Sequence, residues 1–430
     1  MRGVATEEFK LTELGPLPPE WEVVRLGDVA EVSSGGSAPQ GKDFFGGQNP
    51  FIRVQHLEFE SDTIRRWDLI MDEAVNKCSL RLYSKGTIVF PKSGASIYLE
   101  KRAILPIDAY IVGHLCAVIS RSPLVDQNFL FYYLRFVRLS EQKAEGYPTL
   151  NLTEIKERRI ACPPLLEQRK IAYLLSIVQT AIEKTEAVVK ATRELKKSLM
   201  KHLFTYGPTN VGEAESVSLK ETEIGMVPEE WEMVRLGAVC QKTRQADPTR
   251  NPGLKFCYID VSSISRDFLR IADCTEYSGV NAPSRARKVI SQSDVIFATV
   301  RPYLKRIAVV PTEFDGQICS TAFCVIRANP TVAYSHYLFY AVSSGPFVQR
   351  VSEHQRGSSY PAVTDKDVLK ELVPLPSVLT QQQIADILTA VDKKIEAEKN
   401  KKQALEALFK TLLSRLMTGK IRVNNLEAPV

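Results

Sequence analysis

Residues 12–29, TELGPLPPEWEVVRLGDV, return 210 positions later at residues 222–239 as TEIGMVPEEWEMVRLGAV. Thr, Glu, Gly, Pro, Glu, Trp, Glu, Val, Arg, Leu and Gly recur in place, so the chain is an internal duplication. A repeat of this period constrains the fold before any local reading, because each copy must build a similar unit from a diverged sequence. Within the repeated stretch, Pro18, Pro19 and Pro228 break the chain just before Trp21 and Trp231. The Trp-Glu-x-Val-Arg-Leu run that follows alternates apolar and polar residues, as a strand does. Both tryptophans are expected in the core.

The two copies keep the same parts in the same order. Residues 50–56, PFIRVQH, read as a strand with a polar tip, and residues 256–261, FCYIDV, resemble them. The buried strand at residues 87–90 runs into the turn Pro91-Lys92-Ser93-Gly94 and is matched by residues 294–297, which lead into Ala298-Thr299-Val300-Arg301-Pro302. The apolar run 114–119 is matched by 321–326, and the aromatic helical run NFLFYYL by HYLFYAV. Each copy then reaches a polar loop with a Tyr-Pro pair, Tyr147-Pro148 and Tyr360-Pro361. The offset there is 213, so the second copy gains a net three residues in its loops, where length changes are tolerated best.

A proline-bearing strand closes each copy, and a long helical pattern follows. In the first pattern, about residues 167–203, Ile171, Val178, Thr185, Thr192 and Leu199 are spaced by seven. In the second, residues 381–416, Ile384, Val391, Glu398, Leu405 and Leu412 are spaced likewise. Sustained heptads with charges between them are a coiled-coil pattern, and two in one chain suggest an antiparallel pair, each helix roughly 55 Å long. The expected seam consists of Ile171, Val178, Leu195 and Leu199 against Ile384, Val391, Leu408 and Leu412. Polar Thr185, Thr192 and Glu398 fall on the same seam, so its middle should pack less tightly than its ends. The order is globule, helix, globule, helix, with residues 206–221, rich in Gly, Pro, Ser and Glu, as the linker.

The chain is long enough for two or three domains, and a net charge of +6 by itself favours no partner class. Eight cysteines form no C-x-x-C pair and read as buried free thiols. Residues 1–10 show no signal peptide and no run is apolar enough to span a bilayer, so a cytoplasmic protein is expected. No Gly-rich dinucleotide or Walker motif and no H-E-x-x-H is present. The histidines are scattered, and His114, in an apolar run, reads as a core residue. Asn49-Pro50-Phe51 lacks the second proline of an amino-methyltransferase motif. Duplication without a catalytic constellation points to a binding protein with two similar sites.

Loop tips after the strands gather basic, polar and aromatic residues. In the first copy these are Arg53, Gln55, His56, Lys92, Ser93, Tyr98, Lys101, Arg102 and Tyr147. In the second they are Arg244, Ser263, Arg266, Arg301, Tyr303, Lys305, Arg306, Arg356, Ser358 and Tyr360. Arg and Gln on a rigid tip can read base edges, while Lys and Ser more often fix phosphates. Exposed loops are polar in any protein, so it is the set, and not any one residue, that suggests double-stranded DNA.

The repeated opening stretch, the YPTL and YPAV loops, PPLLEQRKIAYLLSIV, PLPSVLTQQQIADILTAVD and the closing LSRLMTGKIRV together resemble the specificity subunit of a type I restriction-modification system. The second helix start departs from the family pattern, with Ser377 for Pro and Thr380 for Glu. The resemblance implies an α+β chain with two mixed α/β target recognition domains separated by two long helices in an antiparallel coiled coil. Residues 1–163 and 222–376 would be the recognition domains, 164–205 and 377–418 the helices, 206–221 the linker and 419–430 a tail. Each recognition domain would read half of a bipartite, asymmetric duplex target, with the helices setting the spacer. Implied partners are two modification subunits and restriction subunits. Those partners would use S-adenosylmethionine, ATP and Mg, leaving this chain non-catalytic and without a cofactor. Two other classes compete: a coiled-coil scaffold that never touches DNA, and a self-contained methyltransferase that binds S-adenosylmethionine.

Overall fold

Trp21 and Trp231 are buried in separate hydrophobic cores. A computed structural model describes residues 9–58, 61–141 and 148–423, so Tyr147 lies outside the described residues. The chain divides into two units: residues 1–187 with 399–430, and residues 188–398. Both are built the same way.

In the first unit the strand after Trp21, Glu22–Arg25, pairs antiparallel with Arg159–Cys162, which ends just before Pro163. In the second, Glu232–Arg235 pairs with Leu372–Leu375. The repeated glycine just beyond each Trp strand has a packing reason. A Cβ on Gly27 would come within 2.9 Å of the Lys156 Cβ, and one on Gly237 within 3.1 Å of the Leu369 carbonyl oxygen. Those two partners belong to short helices that hold corresponding places, Leu152–Glu157 and Asp365–Leu369.

Each unit carries a mixed four-stranded sheet. The first orders Asp68–Ile70, Phe45–Ile52, Ala109–Ile111 and Leu82–Tyr83, and the second orders Thr275–Ser278, Lys255–Ile259, Ile318–Ser320 and Ala286–Val289. The central pair is parallel in both. A second sheet holds the buried strand, Ile88–Pro91 or Val295–Ala298, against Leu115–Ser120 or Phe323–Ile326. The first unit adds Ala30–Ser34 to this sheet, where the second keeps a single bridge between Cys240 and Ala328. The aromatic helices α1 (Gln127–Phe136) and α3 (Ser335–Ser343) fill the cores through Phe129, Tyr133, Tyr337 and Tyr340.

The long helices are α2 (Leu165–Tyr206) and α4 (Val378–Met417), 42 and 40 residues, or about 63 and 60 Å. In the first unit Ile171, Leu175, Val178 and Ile182 of α2 share a core with Leu405, Phe409, Leu412 and Leu416 of α4. In the second, Leu199 and Leu203 join Ile384 and Leu388. The start of each helix therefore packs on the end of the other, which is antiparallel pairing. Gln168, Ile171, Leu175, Val178, Ile182, Thr185 and Val189 are all buried, alternating steps of three and four.

The same alternation corrects two seam positions. Continued from Val189 it reaches Thr192, Lys196, Leu199 and Leu203, so Leu195 falls one residue, about 100°, off the seam and is 52% exposed. On α4 Phe409 takes the buried position and Leu408 is 46% exposed. Leu199, Val391 and Leu412 are half-buried. Buried positions on α2 stop at Val189 and resume at Leu203, and on α4 they stop at Ile395 and resume at Phe409. Polar residues occupy the stretches between: Thr192 donates to its own helix carbonyl Val188 at 2.7 Å, as Thr185, still in the buried run, does to Ala181 at 2.7 Å. Glu398 accepts from Lys394 at 2.6 Å.

The unusual start of α4 has a local explanation. The Ser377 hydroxyl accepts the Thr380 amide at 3.2 Å and bonds its hydroxyl at 2.9 Å, an N-cap that the proline at the start of α2 cannot supply. At α2, Glu167 has another task. It accepts from the Trp21 indole at 3.1 Å and from Arg422 at 2.8 and 3.0 Å.

Two further expectations change. His114 is not a core residue: it stands exposed in a turn, and the apolar strand begins one residue later at Leu115. Cys257 and Cys274 are joined in a disulfide with Cα atoms 5.7 Å apart, while the other six cysteines are free. The strand Lys255–Ile259 folds back against Thr275–Ser278 and brings the pair together, a contact that a separation of 17 residues does not announce. Burial pushes the Cys116 and Cys319 thiols up to about 12. Among the described residues no helix is long and apolar enough to cross a membrane.

Candidate nucleic-acid interface

The turn after the buried strand and the Tyr-Pro loop, with paired residues 54 to 64 positions apart in sequence, pair in both units. In the first, the Gly94 amide donates to the Pro148 carbonyl at 2.9 Å, the Leu150 amide to Lys92 at 2.7 Å, and Ser93 bridges Thr149. In the second, the Arg301 amide donates to Pro361 at 2.8 Å, the Val363 amide to Thr299 at 2.9 Å, and Val300 bridges Ala362. Gly94 and Arg301 are thus equivalent. Each caps a short 3-10 turn, and each has a positive φ, 78° and 49°. For arginine that backbone costs about 1–2 kcal/mol.

The Arg301 guanidinium lies over the Tyr360 ring, 4.8 Å from its centre, and donates to the Ser359 carbonyl at 3.0 Å. Its Nε is buried without a hydrogen-bond partner. Around it Tyr303, Arg356, Ser358 and Tyr360 are exposed.

A second recurring device holds the tip that follows the first strand of each sheet. The Arg53 amide donates to His56 Nδ1 at 3.0 Å, and the Asp260 amide to Ser263 Oγ at 3.2 Å, closing one 3-10 turn in each unit. A basic side chain from beyond the other turn then clamps the residue ending it. Lys101 Nζ donates to the Leu57 carbonyl at 2.9 Å, and an Arg306 Nη donates to Ile264 at 2.7 Å and Val261 at 3.0 Å. Lys101 and Arg306 therefore shape the tip, with much of their donor capacity turned inward.

The remaining candidates divide by exposure. Gln55, Tyr98, Arg244 and Arg266 are exposed; Arg53, Lys92, Lys305 and Ser263 are half-buried. Arg53 is ion-paired with Asp68 at 2.8 Å and lies over the Phe45 ring. Burial, with Lys196 nearby, draws the Lys305 ammonium below the ordinary lysine range.

Three residues expected on loop tips are instead buried. Arg102 pairs with Glu100 and lies over the Phe90 ring, because the 3-10 turn before it ends in a left-handed Glu100 that sends the chain inward. Ser93 bonds His114 Nδ1 at 2.7 Å. His56 is fixed through Nδ1 by the Arg53 amide, and burial lowers its pKa, so it is a neutral acceptor. Two exposed basic residues join the candidates: Lys242 stands on the segment that holds Arg244, and Arg285 in the turn just before the strand Ala286–Val289. The segment holding Lys242 joins that strand through Gln245 and Lys288, a pairing with no sequence signal.

Among the described residues no group of three or more His, Cys, Asp or Glu is disposed to hold a metal ion. The arrangement offers planar donors on a braced backbone and exposed aromatic rings. That is chemistry for hydrogen-bonding and stacking on a polyanion with flat edges.

The profile of the type I restriction modification DNA specificity domain matches residues 18–190 and 228–407. The chain is 28% identical to the putative type I restriction enzyme MjaX specificity subunit of Methanocaldococcus jannaschii, over 97% of each chain. It is 26% identical to the MjaVIII specificity subunit of the same organism, over 98% of this chain and 97% of that one. Among solved structures it resembles the type I restriction-modification system S subunit from M. genitalium, with TM-score 0.59 and 16% identity, over 96% of this chain and 98% of that one.

Proposed function

The chain belongs to the type I restriction-modification DNA specificity family, and from that premise we propose how it reads DNA. Each unit reads one half of a bipartite, asymmetric duplex target through the paired turn and Tyr-Pro loop. Residues 1–163 and 222–376 act as the recognition domains, and α2 and α4 set the spacer between the half-sites. The observation that carries this is the repetition of one tip in both units. A glycine or arginine at positive φ is bonded to the loop proline, with exposed Tyr98 in one unit and exposed Tyr303, Arg356, Ser358 and Tyr360 in the other.

In this reading Gln55, Arg244, Arg266 and Arg301 face base edges, while Lys92, Lys305 and Ser263 approach phosphates. Arg53, Lys101 and Arg306 brace the tips at the DNA surface. Two half-sites read by one chain combine their specificities, and a stiff connection between them avoids the entropy of a flexible linker.

The helices have a second role, docking two modification subunits. The support is a repeated apolar face. Leu166 on α2 and Leu379 on α4 hold the same repeat position and are 56% and 66% exposed, and Leu195 and Leu408 form a second such pair. The modification subunits bring the S-adenosylmethionine site, and restriction subunits bring ATP- and Mg-dependent translocation.

A footprint of the chain assembled with its modification subunit tests the reading. Two protected patches separated by an unprotected spacer support it, whereas one patch or none supports a scaffold. Lys92→Ala should weaken binding to all duplexes alike and flatten the salt dependence. An unchanged salt slope removes Lys92 from the phosphate contacts.

A further inference from the structure

Arg301 combines features that are unfavourable unless its side chain has work to do. Its backbone is left-handed at φ 49°, where the first unit places Gly94 at φ 78°. The two positions match in full: each amide donates to the proline of the Tyr-Pro pair, and each caps a 3-10 turn. Glycine satisfies that position without strain, so the fold does not require arginine there. The Arg301 Nε is in addition buried without a partner. Strain and an orphaned donor on one residue are characteristic of a functional site. The guanidinium is nonetheless oriented, stacked on Tyr360, which is 72% exposed, and tied to the Ser359 carbonyl.

We propose that Arg301 is a base-reading residue of the second unit and that the base it selects is guanine. This rests on the reading of the chain as a DNA specificity subunit. Guanine presents two acceptors, O6 and N7, in the major groove, which match the paired N–H donors of a guanidinium. Adenine presents a donor at N6 against those donors and is rejected. The Tyr360 ring and the bond to the Ser359 carbonyl restrict the orientation of the guanidinium, which paired recognition of a base edge needs. Gly94 has no side chain, so the equivalent place in the first unit reads nothing, and the two half-sites must differ there.

The test is methylated-adenine mapping with the chain assembled with its modification subunit, for the parent and for Arg301→Gly and Arg301→Gln. The parent is expected to require a G·C pair in the half-site read by the second unit. With Arg301→Gly, one half-site and the spacer stay as they were. A single G·C position in the other half-site loses discrimination, by on the order of tenfold to a hundredfold. The melting temperature does not fall, since the left-handed strain is removed. Arg301→Gln shifts the same position toward A·T, because glutamine pairs with adenine N6 and N7.

An unchanged target in both variants overturns the proposal. So does a uniform loss of methylation at every parental site without new degeneracy, which assigns Arg301 to phosphate. If Arg301→Gly does not fold, Arg301→Gln alone decides, and a retained guanine requirement overturns the proposal. A parent that methylates no two-part target sinks the DNA-reading function itself, a result distinct from any change confined to one position.

Discussion

In the second unit the Lys196 ammonium of α2 lies 2.6 and 2.8 Å from the two carboxylate oxygens of Asp392 on α4. The Tyr340 hydroxyl donates to the same carboxylate at 2.9 Å, and the Lys196 ammonium sits 5.3 Å from the Tyr340 ring centre. Lys196 occupies a seam position where the heptad asks for an apolar residue, so this contact replaces apolar packing between the helices. Asp392→Ala leaves a half-buried ammonium without its partner and should cost about 1–2 kcal/mol, discounted for partial exposure. Lys196→Met combined with Asp392→Leu should be close to neutral, since apolar isosteres can stand in for such a pair. Urea unfolding of both variants checks this. Equal losses in the single and double variants would show that the pair contributes nothing specific.

Acid should weaken the second unit at Asp367. The Thr364 amide and hydroxyl donate to its carboxylate at 3.0 and 2.7 Å, lowering its pKa to about 2. A carboxyl depressed in the fold stabilises fully above its unfolded pKa, near 4, and loses that contribution as pH falls through about 2. Melting temperature followed from pH 5 to pH 2 should therefore drop. Asp367→Asn should be less stable at pH 5 and should show a shallower drop. Parallel curves for the two proteins would contradict the assignment.

Leu195 and Leu408 should matter for assembly and little for folding. Both are exposed at the same repeat position, so Leu195→Glu and Leu408→Glu should change stability by no more than about 0.5 kcal/mol. Each should reduce capture of a modification subunit, and the double variant should abolish it. Co-purification with the modification subunit measures this. Normal assembly by the double variant would move the docking face elsewhere.

Much of the architecture was legible because it is written twice. The Trp strands, the buried strands, the aromatic helices and the long helices all announce themselves by matching at a nearly constant offset. Side-chain environment at the tips was less legible, because it depends on which way a turn sends the chain. Arg102 reads as part of a polar loop, yet a left-handed Glu100 turns it inward over the Phe90 ring. Leu195 reads as a seam residue because it is the apolar neighbour of Lys196, which takes the seam position, and only the run of buried positions from Gln168 to Val189 sets the phase. The equivalence of Gly94 and Arg301 needs backbone angles and amide partners, neither of which any spacing reveals.

The proposed function requires two reading heads whose separation follows the length of α2 and α4. The most direct measurement is methylated-adenine mapping of the assembled complex, made with the parent chain and with a chain carrying one extra turn in the polar middle of each helix. The parent should return a two-part target with a spacer of constant length. The extended chain should keep both half-sites and lengthen the spacer by about one or two base pairs, since a turn adds about 5.4 Å and each pair spans about 3.4 Å. A contiguous target, or a spacer unchanged in a lengthened chain that still methylates, would contradict it.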